Sequence, residues 1–425
     1  MNRATRFLYN LLFLPILLIL LPGYLLRIRK RGGYGNKALQ RFGILDESTW
    51  ARLGTGRIWI HAVSVGEVGI ALKFATSYRK KNPSARFLIS STTSTGLAIL
   101  DRSASEWLEP VANPVDLPII TSRFVRRLRP AALLMVEADL WPNRIAACKA
   151  LGIPVALLNA RLSTRSEKRF RMVRMFTAPF FNQLDLITLT DPEDHSRWVS
   201  LGVSPSLLRL TGNIKHDSPA RETTSSRGDN ILLAASTHPS EEKEFALAWL
   251  ALKEKFPDLR LVITPRHVER RAEIRADLKG LGIACQLRSE GAGLSDEPLV
   301  LDTTGELSSW YPMATIVLVG KSLPCSVNKG GQNMIEPLQA GAPVLIGPST
   351  DNFEPLATYL CEAGAAIRVT NANEIVAAVR SLLVNESRRS VMIEAATKVL
   401  LPHQGATERN CQLVEGLLGG LFPQH

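Results

Sequence analysis

The sequence predicts an α/β protein built from two Rossmann-like, doubly wound domains facing one another across a cleft and preceded by an N-terminal membrane anchor helix. From residue 58 onward, short apolar runs alternate with helical patterns, and such alternation implies parallel sheets covered by helices on both faces. The alternation is interrupted at residues 216–230 (HDSPARETTSSRGDN), a polar stretch without periodicity that reads as a linker, and the last helix, near 406–418, is free to pack back across that hinge. A length of 425 residues is enough for two or three domains, each with its own core.

Residues 7–26 (FLYNLLFLPILLILLPGYLL) carry no charge over about the length needed to cross a hydrocarbon core. Asn10, Pro15 and Pro22 weaken a straight span, so the segment is either a transmembrane helix or a shallow anchor. No small-x-small cleavage site follows it; Arg27, Arg29, Lys30 and Arg31 come instead, and by the positive-inside rule the domain behind them lies in the cytoplasm. The formal charge is +12, yet residues 1–45 hold eight basic residues and no acid, which leaves +4 for the remainder. A basic excess confined to one segment points to anionic lipid headgroups, and no nucleic-acid-binding module is recognisable. The five cysteines are scattered and never form a CxxC pair, as expected of reduced thiols in a cytoplasmic compartment.

Strands are predicted at 58–64, 86–92, 131–137, 155–160, 184–190 and 207–212, and again at 231–236, 259–264, 299–303, 315–320, 344–347 and 366–369. The first ends in His61-Ala62-Val63-Ser64-Val65-Gly66-Glu67 and hands a carboxylate to the start of a helix. Ligands of open α/β sheets bind beside the C-terminal ends of the strands, so Glu67 is a candidate general base. Ser64-x-x-Glu67 is equally a capping box, in which the two side chains satisfy each other's backbone N–H groups. Glu137 ends another apolar strand ahead of Asp139-Leu140-Trp141-Pro142, with Pro142 placed to open a helix. In the second half, Ser236-Thr237-His238 and Pro265-Arg266-His267 end successive strands and make a candidate anion site. Each histidine alone is as readily structural.

Lys329-Gly330-Gly331-Gln332-Asn333 leads into Met334-Ile335-Glu336-Pro337. Two glycines before a helix are expected to expose backbone N–H groups as a phosphate site. The spacing matches neither a Walker loop nor a dinucleotide fingerprint. Glu336 is a candidate partner for a ribose diol, or else it complements the helix dipole. There is no Asp-x-Asp motif, and no His, Cys and carboxylate set has metal-ligand spacing.

Taken in order, HAVSVGE at 61–67, VEADLWPN at 136–143, LNARLS at 158–163, LTGNIKHD at 210–217, STH at 236–238, PRH at 265–267 and GGQNMIEP at 330–337 give the sequence a specific resemblance. It resembles the 3-deoxy-D-manno-octulosonic acid (Kdo) transferases of lipopolysaccharide synthesis, which are inverting glycosyltransferases of GT-B fold. The resemblance covers essentially everything after the anchor, and even the anchor with its basic flank is similar to the family's. It implies an anchor at 1–35, an acceptor domain at 36–215, a linker at 216–230 and a CMP-Kdo-binding domain at 231–425. The enzyme would sit at the inner membrane with its catalytic domains on the cytoplasmic side, moving Kdo from CMP-Kdo to a lipid A precursor, lipid IVA.

By the same resemblance Glu67 is the catalytic base and Glu137 lines the acceptor side. Lys215, Ser236, His238, Arg266, His267, Gly330, Gly331, Gln332, Asn333 and Glu336 hold the donor. Neither metal nor cofactor is implied, and the partners are CMP-Kdo, the lipid A precursor and an anionic membrane surface, with no nucleic acid. Two positions depart from the family's pattern: its usual Gly-Gly-His-Asn reads Gly330-Gly331-Gln332-Asn333, and its usual Gly-Gly-Ser reads Gly320-Lys321-Ser322. Glutamine keeps a donor and an acceptor but cannot take up a proton, and Lys321 could restore a charge nearby. The alternatives are a GT-B transferase using another nucleotide sugar on a membrane lipid, and a non-catalytic membrane scaffold.

Overall fold

The structure is a computed structural model, and it describes residues 6–13, 15, 19, 23, 35–137, 141–162, 164–217 and 230–419. Two compact units divide the chain, one formed by residues 1–217 with 405–425 and the other by 218–404.

In the first unit, β1 (Ile58–Ala62), β2 (Phe87–Ser91), β3 (Leu108–Ala112), β4 (Ala132–Val136), β5 (Val155–Ala160), β6 (Leu186–Leu189) and β7 (Leu208–Leu210) form one sheet. Its order is β3-β2-β1-β4-β5-β6-β7, every pairing is parallel, and the strand order reverses between β1 and β4. Both faces are covered. Trp59 joins one apolar cluster, with Leu133 and Leu157, while Ile58, Ile60 and Ala62 join the cluster on the other side, with Ile70 and Phe74 of the helix Val65–Lys81. That is why the strands read as near-continuous apolar runs rather than as alternations.

The second unit repeats the plan with β8 (Asn230–Thr237), β9 (Leu259–Pro265), β10 (Gln286–Leu287), β11 (Leu299–Val300), β12 (Ile316–Val319), β13 (Val344–Ile346) and β14 (Ala366–Arg368). These are ordered β10-β11-β9-β8-β12-β13-β14, all parallel, with the reversal between β8 and β12. Ile231, Leu233 and Ala235 face one cluster, and Leu232 and Ala234 the other.

The sequence missed β3 and β10, the two strands at the sheet edges beyond β2 and β11. β3 reads LEPVA, and a Glu-Pro pair removes the apolar signal and one N–H donor, which an edge strand tolerates. The unit boundaries also differ from expectation. Residues 405–425 cluster with the first unit, not with 231–404. The helix Ala406–Leu417 buries Cys411 and Val414 against the Phe74 side of the first core, and its buried Asn410 accepts from Thr188 Oγ1 at 2.7 Å. Asp217 caps the helix start through the N–H groups of Gly405 and Thr407, each at 2.7 Å. Within the expected linker, residues 216 and 217 therefore belong to the first unit, residue 230 opens β8, and 218–229 lie outside the described residues.

Among the described residues no helix is long and apolar enough to cross a membrane. Residues 6–13 are helical; much of the expected anchor, including 24–26, and the whole basic run 27–31 lie outside the described residues.

Candidate active site

In open parallel sheets the crevice forms beside the strand ends where the order reverses. In the first unit those ends belong to β1 and β4, which carry Glu67 and Glu137. Ser64 N-caps the helix Val65–Lys81, and the capping box is present in full. Glu67 Oε2 accepts the Val63 N–H at 2.7 Å, while Oε1 accepts the Ser64 hydroxyl at 2.8 Å and its N–H at 3.3 Å. The Glu67 side chain is buried. The capping function is thus real, and it fixes the carboxylate at the positive end of a helix beside the crevice.

Glu137 follows β4 in a left-handed backbone conformation, φ 64°, sparsely populated for a non-glycine residue. Burial pushes its carboxyl above the usual range, against the opposing pull of Arg161 and Lys215. Lys215 is the counterpart: burial lowers its ammonium pKa and Glu137 raises it. Lys215, expected among the donor ligands, lies in the first unit, within electrostatic reach of Glu137. Asn159 explains the placement. Also left-handed at φ 56°, it accepts the Ile214 N–H at 2.8 Å and so draws the segment carrying Lys215 alongside the end of β5.

Of the VEADLWPN segment, 138–140, including Asp139, lie outside the described residues. Trp141 lies edge-on to the buried His61, with ring centroids 5.8 Å apart, and Arg144 sits 5.4 Å over the Trp141 ring. Asp116, which sequence reasoning did not single out, is fully buried and accepts the N–H groups of Asn143 and Arg144 at 3.0 and 2.9 Å. Nothing in the run Val115-Asp116-Leu117 announces this task.

The other expected donor residues all lie in the second unit. Ser236, φ 55°, sits at a register shift in the pairing of β8 with β9, and a Cβ on Gly320 would stand 2.5 Å from its carbonyl oxygen. Glycine at 320 therefore lets the β12 turn close on the β8 end. Glu241, missed in the sequence, ties the two together. Its carboxylate accepts the N–H groups of His238 (2.9 Å), Lys321 (2.6 Å), Ser322 (2.9 Å) and Leu323 (3.1 Å).

His238 is buried, with Asn328 Nδ2 3.0 Å from one ring nitrogen and Gln332 Nε2 3.0 Å from the other. A neutral imidazole has one donor and one acceptor, so one of the two amides presents its oxygen to the ring. Burial pushes the imidazole down to about 4, helped by Lys321, His267, Arg270 and Arg266. The His267 ring stands perpendicular to that of His238, 5.9 Å away. Arg266 is exposed, and its N–H bonds to the Thr237 carbonyl at 3.0 Å.

The glycine pair does not work as expected. The Gly330 N–H donates to Ser349 Oγ at 2.8 Å and the Gly331 N–H to the Lys321 carbonyl at 2.9 Å, so neither is offered to a ligand. The glycines are required instead by their backbone, φ 110° and 76°, and by the Asn352 side chain, 2.6 Å from where a Gly330 Cβ would lie. Asn333 caps the short helix Ile335–Gln339 through the Ile335 N–H at 3.0 Å and donates to Glu336 Oε1 at 2.8 Å. Positive charge around His238 comes from Lys321, Arg270 and Arg266, of which Arg270 is paired with Glu242 at 2.7 Å and Glu273 at 2.9 Å. Among the described residues no group of three or more His, Cys, Asp or Glu side chains is placed to hold a metal ion.

Residues 36–218 match the family model described as 3-deoxy-D-manno-octulosonic-acid transferase (kdotransferase). The 3-deoxy-D-manno-octulosonic acid transferase of Bordetella pertussis is 32% identical over 416 residues, covering 92% of this chain and 95% of that protein. The enzyme of the same description from Haemophilus influenzae is 30% identical over 422 residues, covering 96% and 95%. Among solved structures, MurG of Acinetobacter baumannii covers 85% of this chain and 99% of its own at 15% identity, with a TM-score of 0.55. That last likeness is one of fold, and the two parallel-sheet units are of the GT-B type.

Proposed function

This chain belongs to the 3-deoxy-D-manno-octulosonic acid transferases, glycosyltransferases of lipopolysaccharide synthesis, and on that premise we propose how its own residues carry the transfer. The donor is CMP-Kdo and the acceptor a sugar hydroxyl of a lipid A precursor, lipid IVA. Glu67 takes the proton of that hydroxyl as its oxygen bonds to the anomeric carbon. The bond from that carbon to the CMP phosphate breaks, its electron pair leaves with CMP, and the anomeric centre inverts.

The observation that carries this reading is the Glu67 carboxylate itself. It is fixed at a helix N-terminus beside the strand-order reversal by short-range bonds from the Val63 N–H and from the Ser64 hydroxyl and N–H. A preorganised base of this kind needs no reorganisation at the moment of proton transfer. Glu137, under the positive fields of Arg161 and Lys215, orients the acceptor. Arg266, with Lys321 and His267 around the neutral His238, meets the phosphate, while Asn333 and Glu336 offer polar groups to the ribose. Gly330, Gly331 and Gln332 shape that loop rather than bonding the phosphate through the glycine N–H groups. The charge on the leaving group is thereby neutralised by side chains, and the proposed course calls for neither metal nor cofactor.

The lipid acceptor stays in a bilayer, so we place the enzyme at the inner membrane with its catalytic units on the cytoplasmic side, held by the apolar 7–26 segment and its basic flank. The test is mass spectrometry of lipid IVA after incubation with the full chain and CMP-Kdo, beside a parallel reaction with UDP-N-acetylglucosamine. Addition of Kdo mass from CMP-Kdo alone is expected. Transfer from the UDP sugar, or product with retained anomeric configuration by NMR, would overturn the reading.

A further inference from the structure

Outside the site, residues 171–176 (RMVRMF) stand out, because every one of them is exposed although four are apolar. Met172 is 84% exposed, Met175 82%, Phe176 47% and Val173 42%. They form the corner between two helices, Thr164–Met172 and Arg174–Phe181. The corner is not loosely attached. Behind it, Phe170 packs edge-on against Phe181 at 5.5 Å, and Phe181 against the buried Trp198 at 4.8 Å. The apolar tips thus project from a hairpin whose inner side is fastened into the core.

Two further observations say what covers them. Exposed Lys168, Arg169, Arg171 and Arg174 flank the tips, with Arg171 held by Glu167 at 2.6 Å. The described N-terminal helical residues also dock beside the hairpin. The Tyr9 ring contacts Phe180 at 6.4 Å, its hydroxyl donates to the buried Asp116 at 3.1 Å, and Asn143 Nδ2 donates to Asn10 Oδ1 at 2.7 Å. Phe7, Leu11 and Leu12 on that helix are exposed.

An apolar tip ringed by cations is the pattern of an interfacial membrane contact, in which the apolar groups enter the acyl boundary and the basic groups meet anionic headgroups. A second copy of the same corner would bring like charges together; an anionic bilayer complements them. We propose that the 171–176 corner is a second membrane contact of this protein, additional to the 7–26 segment, and that it seats the first unit on anionic phospholipid. The proposal deepens the membrane-bound acceptor reading and rests on it only for its activity arm.

The test uses the full chain in lipid nanodiscs and follows hydrogen exchange of the amides in 168–176. Discs of phosphatidylethanolamine with phosphatidylglycerol are compared with discs of phosphatidylcholine, for wild type and for the Met172→Ser/Met175→Ser/Phe176→Ser variant. Exchange is expected to be roughly tenfold slower in the anionic discs, and the slowing to vanish in the variant while its thermal melt stays unchanged. Equal exchange in the two lipids, or protection that varies with the number of protein copies per disc, overturns the proposal. The variant should also lose roughly fivefold in transfer to vesicle-embedded acceptor while keeping transfer to detergent-dispersed acceptor. A wild type inactive in both settings would count against the proposed function, and the exchange data would still decide the surface.

Discussion

Replacing Glu67 with glutamine separates the cap seen in the structure from the general base proposed for the same carboxylate. As a cap, the side chain accepts from Val63 N–H, Ser64 Oγ and, at 3.3 Å, Ser64 N–H. Glutamine keeps the first bond with its carbonyl oxygen. It can turn its amide toward Ser64 Oγ, a hydroxyl that also accepts, and it loses the long bond and the negative charge. The dipole interaction is worth about 0.3 to 1 kcal/mol and the long hydrogen bond about 0.5 to 1 kcal/mol, so the variant should fold with a loss of about 1 to 2 kcal/mol. In a unit of this size that lowers the melting temperature by a few degrees. As a base, by contrast, the amide cannot take a proton. Transfer should fall by roughly 10²- to 10⁴-fold, the usual scale for a positioned general base. CMP affinity, which the proposal gives to residues of the second unit, should be unchanged by calorimetry. Turnover within about threefold of wild type, accompanied by the same small loss of stability, would refute the base and leave Glu67 a capping residue.

Arg266→Ala should weaken CMP binding by about 1.5 to 3 kcal/mol if the guanidinium makes charge-assisted bonds to the phosphate, and unchanged affinity by calorimetry would move the phosphate elsewhere. Lys215→Met removes a cation that holds the Glu137 carboxyl down, so the acid limb of kcat/KM should move to higher pH, and an unmoved limb would show that Glu137 does not report in that profile. The His238 ring should titrate near pH 4 by NMR, because its folded pKa of about 4 lies below the ordinary 6.5. The unfolded chain then takes the proton first. The stability linked to this residue is fully present above about pH 6.5 and is lost as pH falls through 4, and a ring midpoint near 6.5 would show that the clamp by Asn328 and Gln332 is open in solution.

Most of the architecture was legible because buried parallel strands write themselves as apolar runs, and those runs located all but β3 and β10 in the sequence. The edge strands were hidden for a physical reason: with one flank unpaired they tolerate Glu109-Pro110 or shrink to two residues. The return of the helix Ala406–Leu417 to the first unit was legible only as a possibility, since its ties, Asp217 to Gly405 and Thr188 to Asn410, join residues far apart in the chain. The site was legible as a set of strand ends, but not in its wiring. Glu241 and Asp116 look like ordinary acids until the backbone N–H groups they gather are seen. The glycines at 330 and 331 were read as offering N–H groups when they are needed for their φ angles.

That wiring has a common form in both units. Glu137 and Asn159 in the first unit, and Ser236 and Lys321 in the second, are non-glycine residues held at positive φ, and each lies at or just beyond the C-terminal end of a central strand. Such conformations cost of order 1 to 3 kcal/mol each and persist only where surrounding bonds over-determine them. Here the bonds are visible. The Glu137 N–H is held by the Leu158 carbonyl, Asn159 by Ile214 and Thr188, and Lys321 by Glu241. Glycine takes this region at the turns Gly152 and Gly202, and Arg129 does so at a helix end. Keeping Glu, Asn, Ser and Lys there spends stability to aim polar side chains at the strand ends, the same edge to which the capping box delivers Glu67. The strained residues of both sheets, and Glu67 on the first, thus lie at the strand-end rims on which the proposed site is built.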